Sequence, residues 1–368
     1  MPLNHMDKYR DPDLVEALVR RIADASARLK RGVRFMEVCG GHTMAIHRFG
    51  IPSLLPPGIE LVSGPGCPVC VTPASYIDSA IEWGEETDGI VATFGDLYRV
   101  PGSAGSLEDA AAEGMDVRVV YSPSDALKMA EGTPDREVLF LAVGFETTAP
   151  AVAATIETAA GRGNTRFRVM SAHKTMPLAL RVLVEAKDVV LDGFILPGHV
   201  STIIGVDPYR FLADDCRVPC CISGFEPVDI LQCILSLVTQ CVRETPVVDN
   251  RYGRSVRRSG NPKARLAMDR VFRAVDSQWR GIGCIKGSGL DVRGRYAAWA
   301  APGPDPCAES QDEEVCRCGD VLRGIVKPAE CPLFGGGCTP QDPVGPCMVS
   351  SEGACAAAFK YRDADRFV

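Results

Sequence analysis

Val138-Leu139-Phe140-Leu141-Ala142-Val143, followed at once by Gly144-Phe145-Glu146-Thr147-Thr148, decides the fold. Six apolar residues in a row, closed by a glycine, suit a strand covered on both faces, and the polar turn behind them opens a segment of helical period. The same rhythm runs on either side. Apolar runs at Gly89 to Phe94, Val117 to Tyr121, Phe167 to Ser171, Val189 to Leu196 and Val218 to Ile222 alternate with helix-period segments. This alternation predicts parallel sheets of α/β type. Polar or glycine-bearing clusters stand at the carboxyl ends of most of these runs: Gly95-Asp96, His173-Lys174, Pro197-Gly198-His199-Val200-Ser201 and Gly224-Phe225-Glu226. In an open α/β sheet, that end is where ligands bind.

Upstream, Leu14, Val15, Leu18, Val19, Ile22, Ala25 and Leu29 repeat at helical spacing behind Asp11 and Asp13, which predicts an amphipathic cover helix of about four turns. The apolar run Phe35-Met36-Glu37-Val38 then leads into Cys39-Gly40-Gly41-His42-Thr43. Two glycines let the backbone turn sharply and aim a thiol into a crevice, with His42 and His47 close enough to tune it or to share a metal. The same pattern would also suit a cysteine packed under a glycine turn. Ile51 to Val62 is rich in proline and reads as a connection to the stiff loop Ser63-Gly64-Pro65-Gly66-Cys67-Pro68-Val69-Cys70.

Downstream, Gly224-Phe225-Glu226 echoes Gly144-Phe145-Glu146, by repetition of a unit or by coincidence. The helix behind the second copy carries Ile230, Leu231, Ile234, Leu235 and Val238 at core spacing, which makes Cys233 and Cys241 core residues. Residues 245–264, with many arginines and turn formers, read as a long loop or hinge, followed by a helix from Lys263 to Val275 and a segment from Gly281 to Gly294. The expected architecture is two doubly wound, Rossmann-like parallel-sheet domains with a central cleft, plus a small C-terminal iron–sulfur segment. The expected boundaries are 1–150 for the first domain with its cover helix and cysteine loops, 151–245 for the second, and 246–368 for the hinge and cluster domain.

The chain has 368 residues, 46% of them hydrophobic and 24% charged, which is a globular balance; no disordered reading is needed. A net charge of -7 argues against a nucleic-acid surface. Met1 to His5 shows no basic segment leading into an apolar one, and no run approaches the roughly 18 apolar residues that span a bilayer, so a cytoplasmic, membrane-free protein is expected. In that compartment 16 cysteines do not read as a disulfide framework; metal or redox work is the default.

The strongest chemical signal is at the C-terminus, where Cys316, Cys331, Cys338 and Cys355 stand among Cys307, Cys318 and Cys347, with Gly335-Gly336-Gly337 and several prolines around them. Such a segment builds no ordinary core but can wrap a metal centre. Structural zinc is the rival, and the paired knuckles typical of zinc are missing, which favours an iron–sulfur cluster. Cys67 and Cys70 have the spacing of a redox dithiol; with no second knuckle nearby, redox is favoured over zinc. Glu146 either binds a ligand or caps the next helix, and His199 is either a ligand or base or a satisfied turn histidine.

Five motifs in order, Cys39 to Thr43, Gly64 to Cys70, Gly144 to Thr148, Pro197 to Ser201 and the Cys316 to Cys355 pattern, together resemble the HypD family of [NiFe]-hydrogenase maturation factors. The resemblance runs from about residue 35 to the end. It implies a scaffold rather than a turnover enzyme, on which the Fe(CN)2CO unit of the hydrogenase is assembled with a small HypC-type chaperone and a HypE-type cyanide donor. It further implies Cys39 as a ligand of the transient iron, Cys67 and Cys70 as a thiol/disulfide pair, and a [4Fe-4S] cluster on Cys316, Cys331, Cys338 and Cys355. Cys318 and Cys347 are left as spare thiols near the cluster. His42, Glu146 and His199 complete the expected site. Two other classes compete: an iron–sulfur-linked thiol/disulfide oxidoreductase, which leaves the Cys39 and His199 turns unused, and a structural cluster protein, which leaves the dithiol unused as well.

Overall fold

The computed structural model describes residues 7–307 and 316–362, so the reading of Met1 to His5 lies outside the described residues. Among the described residues twelve strands follow one another: β1 (Val33–Glu37), β2 (Ile59–Ser63), β3 (Ile90–Thr93), β4 (Val117–Val119), β5 (Val138–Ala142), β6 (Phe167–Ser171), β7 (His173–Lys174), β8 (Gly193–Leu196), β9 (Cys220–Ile222), β10 (Val248–Asn250), β11 (Phe272–Trp279) and β12 (Gly283–Val292). They form three sheets. A five-stranded sheet has the order β10-β9-β8-β1-β2, and a four-stranded sheet the order β4-β3-β5-β6; every pairing in both is parallel. The third, β11-β12-β7, is antiparallel, with a register shift between Val275 and Ser277.

Two parallel, helix-covered sheets are the expected α/β architecture, and the reason is visible in the burial. Every residue of β3, β5 and β8 is buried. Continuous apolar runs of this kind are stable only with helices on both faces. The cover helix Pro12–Ser26 starts where Asp11 accepts hydrogen bonds from the backbone N–H groups of Asp13 and Leu14, and it buries Leu18 and Ile22 against the helix Pro227–Arg243. On that second helix Cys233 is fully buried and Cys241 half-buried, as core positions.

The partition of the chain between sheets differs from the expected boundaries. The five-stranded sheet takes β1 and β2 from the start and β8, β9 and β10 from residues 193–250, while the four-stranded sheet is built entirely from residues 90–171. A cut at residue 150 passes through the β5–helix–β6 unit of the four-stranded sheet. Periodicity identifies strands but carries no information on which sheet each joins.

Three other elements differ. Part of the proline-rich connection is β2, an edge strand that is mostly half-buried, and part of the arginine-rich hinge is β10, the opposite edge. The helix expected to Val275 ends at Val271, because the chain turns there into the hairpin β11–β12. Among the described residues one disulfide, Cys284–Cys307, ties β12 to the loop that follows it.

Candidate functional site

The carboxyl ends of the strands bring the sequence motifs together. β1 leads through Val38 to Cys39, which stands with extended backbone (φ -153°, ψ 121°) just before the helix Gly40–Arg48. The backbone N–H groups of Gly41 and His42 point at its sulfur. β2 ends in the loop carrying Cys67, and this loop lies directly on the Cys39 turn: a Cβ on Gly66 would fall 2.2 Å from the Cys39 nitrogen. The Gly40 N–H donates to the Gly66 carbonyl at 3.0 Å. Only glycine permits so close an approach of two backbones. Gly40 in turn lies under Glu352, whose Cβ would be 2.4 Å from a side chain at that position. Cys39 and the dithiol loop therefore share one wall.

The thiol sits among carboxylates. Glu37 is buried and accepts hydrogen bonds from the Cys39 backbone N–H at 3.0 Å and from the Thr43 hydroxyl. Burial raises the Glu37 carboxyl to about 7. Burial first, then Glu352 and Glu37, push the Cys39 thiol up to about 12, which outweighs the helix N–H groups. Such a thiol is neutral at pH 7 until a cation displaces its proton.

His42 aims its Nε2 at the backbone that follows β9. Its ring is buried, its Nε2 lies 3.0 Å from the Gly224 carbonyl and 3.3 Å from that of Ser223, and it stacks on Phe225 with centroids 4.6 Å apart. Burial lowers it to about 4, so it is neutral. His199, behind β8, stacks on the same phenyl ring at 4.1 Å and is exposed on its other side. Phe225 thus joins the two imidazoles, each from a different strand end. Glu146, behind β5, is buried, accepts from the Met176 N–H at 3.1 Å and is raised by burial to about 7. It stands at the end of the other parallel sheet. The hydroxyl of buried Tyr209 is raised by burial, then by Glu146 and more weakly by Cys39, so it lies within electrostatic reach of both. The second Gly-Phe-Glu copy does a different job: Glu226 takes a bidentate contact from Arg10.

Cys67 and Cys70 are buried. The Cys70 N–H donates to the Cys67 sulfur at 3.2 Å, and the Cys67 thiol donates to the Ser350 hydroxyl at 3.3 Å. From here a row of sulfurs leads to the C-terminal set. The Cys70 thiol donates to the Pro346 carbonyl at 3.7 Å, beside Cys347, the sulfurs of Cys347 and Cys318 lie 2.8 Å apart, and Cys316 lies within electrostatic reach of Cys318. Cys318 and Cys347 therefore lie between the dithiol and the C-terminal thiols. Cys316, Cys331, Cys338 and Cys355 all line one cavity, together with Cys318 and Cys347 and apolar walls from Leu333, Phe334 and Met348. Burial raises Cys355, followed by Cys316, Cys338 and Cys331 in that order, so the four thiols feel one another. Among the described residues no three ligating side chains converge closely enough for a single ion. Thiols spread around a cavity suit a multi-iron cluster, which needs four separated sulfur donors and an apolar wall. The donor set fits.

With this geometry in view, likeness to known proteins becomes decisive. A family model named HypD, with the description "Hydrogenase formation hypA family", matches residues 13–362. The chain belongs to the HypD family. Among its relatives in that family, a protein of Escherichia coli (strain K12) named hydrogenase maturation factor HypD is 45% identical over 367 residues, 98% of each chain. One of the same name from Rhizobium leguminosarum bv. viciae is 45% identical over 371 residues, covering 98% of this chain and 96% of its own. A protein of Azotobacter chroococcum mcd 1 named hydrogenase expression/formation protein HupD is 44% identical over 369 residues, covering 98% and 97%.

Several participants were not singled out from the sequence. Glu37 is read there only as part of an apolar run, Glu352 stands in a serine- and glycine-rich stretch, and Ser350 and Ser351 both donate to Asp96 at 3.1 Å. A charged residue inside a buried strand is a signal that could have marked Glu37. Nothing local marks Glu352, whose role depends on a contact more than 300 positions away. Of the expected residues, His47 lies in the last turn of the helix Gly40–Arg48, away from the thiol-bearing end.

Proposed function

We propose that the chain is a scaffold of hydrogenase maturation that holds, through Cys39, the iron on which the Fe(CN)2CO unit is assembled. The observation that carries this reading is the seating of Cys39. Its thiol stands at a helix start, pressed by the dithiol loop and flanked by two carboxylates that can receive its proton. Low-spin iron with cyanide and carbonyl requires a soft thiolate and a dry enclosure. Cys39 supplies the first, and the buried walls of Met36, Val38 and Val69 support the second. Iron here is cargo. A small HypC-type chaperone would exchange it at the same cleft, and a HypE-type protein would deliver cyanide.

Cys316, Cys331, Cys338 and Cys355 would hold a [4Fe-4S] cluster, whose chemistry is one-electron transfer. The chain's own part is the thiol row. Closing a Cys67–Cys70 disulfide releases two electrons and two protons, and Cys347 and Cys318 provide the contact through which the dithiol communicates with the C-terminal thiols. His42 and His199, both stacked on Phe225, pack an aromatic cluster against Gly41 of the Cys39 turn.

The thiol row by itself would equally serve an iron–sulfur-linked thiol/disulfide oxidoreductase, and that is the second reading. It gives the Cys39 turn no work. Infrared spectroscopy of the protein co-expressed and purified with its small partner separates the two. The scaffold reading expects cyanide and carbonyl stretching bands on the purified complex, whereas a dithiol protein without iron cargo shows none.

A further inference from the structure

Away from the Cys39 cleft, a cavity of about 350 Å³ lies between the hairpin β11–β12, strand β7 and the proline-rich strap 301–306. The strap ends at Cys307, whose disulfide to Cys284 of β12, with Cα atoms 5.2 Å apart, ties this roof to the hairpin. None of the hydrogenase-maturation motifs lies in it. Lys174 lines the cavity although only 2% of its surface is exposed. Its ammonium donates to the Ser277 hydroxyl at 2.8 Å and to the Gln278 carbonyl at 2.6 Å, and stands 5.5 Å from the centre of the Trp279 ring. Both acceptors are neutral, and among the described residues no carboxylate pairs with it. A buried cation without a counter-ion is costly, and an ammonium has three N–H groups of which these contacts use two.

The other charged groups around the cavity are engaged. Arg273 is paired with Asp291 across the hairpin at 2.8 Å, Asp276 accepts from the Gly287 N–H, and Asp305 accepts from the Cys307 N–H. His173 is neutral, lowered to about 3 by burial, and the Tyr76 hydroxyl donates to the Met170 carbonyl. Three carboxylates nearer the solvent oppose a multiply charged anion, while the single cation at the floor suits one negative charge. Prolines of the strap and Val275 offer apolar wall to a short carbon chain.

We propose that this cavity is a binding site for a small monocarboxylate, its carboxylate taken by the Lys174 ammonium and its carbon chain by the proline strap. Burial alone lowers Lys174 to about 7, so an arriving anion also draws a proton onto the amine, and binding tightens as pH falls through that value.

The test is titration calorimetry of the full-length protein, with its metal, using propionate and inorganic phosphate as probes at pH 6.5. Propionate is expected to bind one per chain, at least tenfold more tightly than phosphate, and Lys174→Met is expected to weaken it at least tenfold. A second readout needs no variant: propionate should protect Lys174 of the natural chain from an amine-acylating reagent, followed by peptide mass spectrometry. Absence of propionate binding, tighter binding of phosphate, undiminished binding by Lys174→Met, or acylation of Lys174 unchanged by propionate would each overturn the proposal.

Discussion

Replacing Gly66 by alanine tests whether the Cys39 turn and the dithiol loop are one packed unit. The added methyl would meet the Cys39 nitrogen at 2.2 Å, its Cα at 2.5 Å and the Val38 carbonyl carbon at 2.5 Å. All three are backbone atoms, so no side chain can swing aside, and one strand end must move. Overpacking of this kind costs about 1–3 kcal/mol. The displaced loop also loosens the hydrogen bond from the Gly40 N–H to the Gly66 carbonyl, worth about 1 kcal/mol. The sum is about 2–4 kcal/mol, which at an m value near 3 kcal/mol/M lowers the urea midpoint by about 1 M. Gly132→Ala is the control, since a Cβ there meets nothing within 4 Å and the exchange is neutral or stabilising by up to about 1 kcal/mol. Thiol labelling in the same samples should show Cys39 reacting faster in Gly66→Ala. A midpoint within about 0.2 M of the natural chain, with unchanged labelling, would refute the reasoning.

Alanine in place of Cys316, Cys331, Cys338 or Cys355 should bleach the broad absorption near ~400 nm expected of a cysteine-held cluster; full iron and sulfide in all four variants would sink that assignment. Cys347→Ala removes the sulfur that lies against that of Cys318 and within electrostatic reach of Cys70, so the cluster should remain while the Cys67–Cys70 pair no longer follows its reduction, measured by counting free thiols after dithionite. Burial raises the Glu146 carboxyl to about 7, so the folded chain keeps a proton that the unfolded chain loses near pH ~4.3. That contribution, at most about 4 kcal/mol, is complete below pH ~4.3 and disappears as pH rises through about 7. Glu146→Gln should therefore show a flatter stability profile between these values, measured by urea denaturation at several pH values.

The α/β class was legible because strands such as Val138–Ala142 and Gly193–Leu196 are covered on both faces and leave an uninterrupted apolar run. The edge strands β2 and β10 leave no such mark. Val248–Asn250 is three half-buried residues in an arginine-rich stretch, and Ile59–Ser63 buries only Val62, so both escaped notice. The hairpin escaped for another reason: a helix-period pattern runs from Lys263 past Val271, and the turn signal at Gly281 and Gly283, both with positive φ, lies well beyond it. Cys39, Cys67 and Cys70 drew notice as candidates because glycines and prolines beside a thiol mark a sharp turn at a strand end. Their contact with Glu352, Ser350 and Cys347 was not, since it depends on the C-terminal segment folding back across β1 and β2, which only the tertiary structure reveals.

The claim at the centre of this account is that Cys39 carries the iron being built. The direct measurement is the infrared spectrum of the complex purified with the small partner, recorded for the natural chain and for Cys39→Ala and Cys39→Ser. Loss of the cyanide and carbonyl bands is expected in both variants, because a hydroxyl at neutral pH is a poor substitute for a thiolate, with the visible absorption of the C-terminal cluster unchanged. Cyanide and carbonyl bands of undiminished intensity in Cys39→Ala would contradict it, since the iron would then have to hang from another residue.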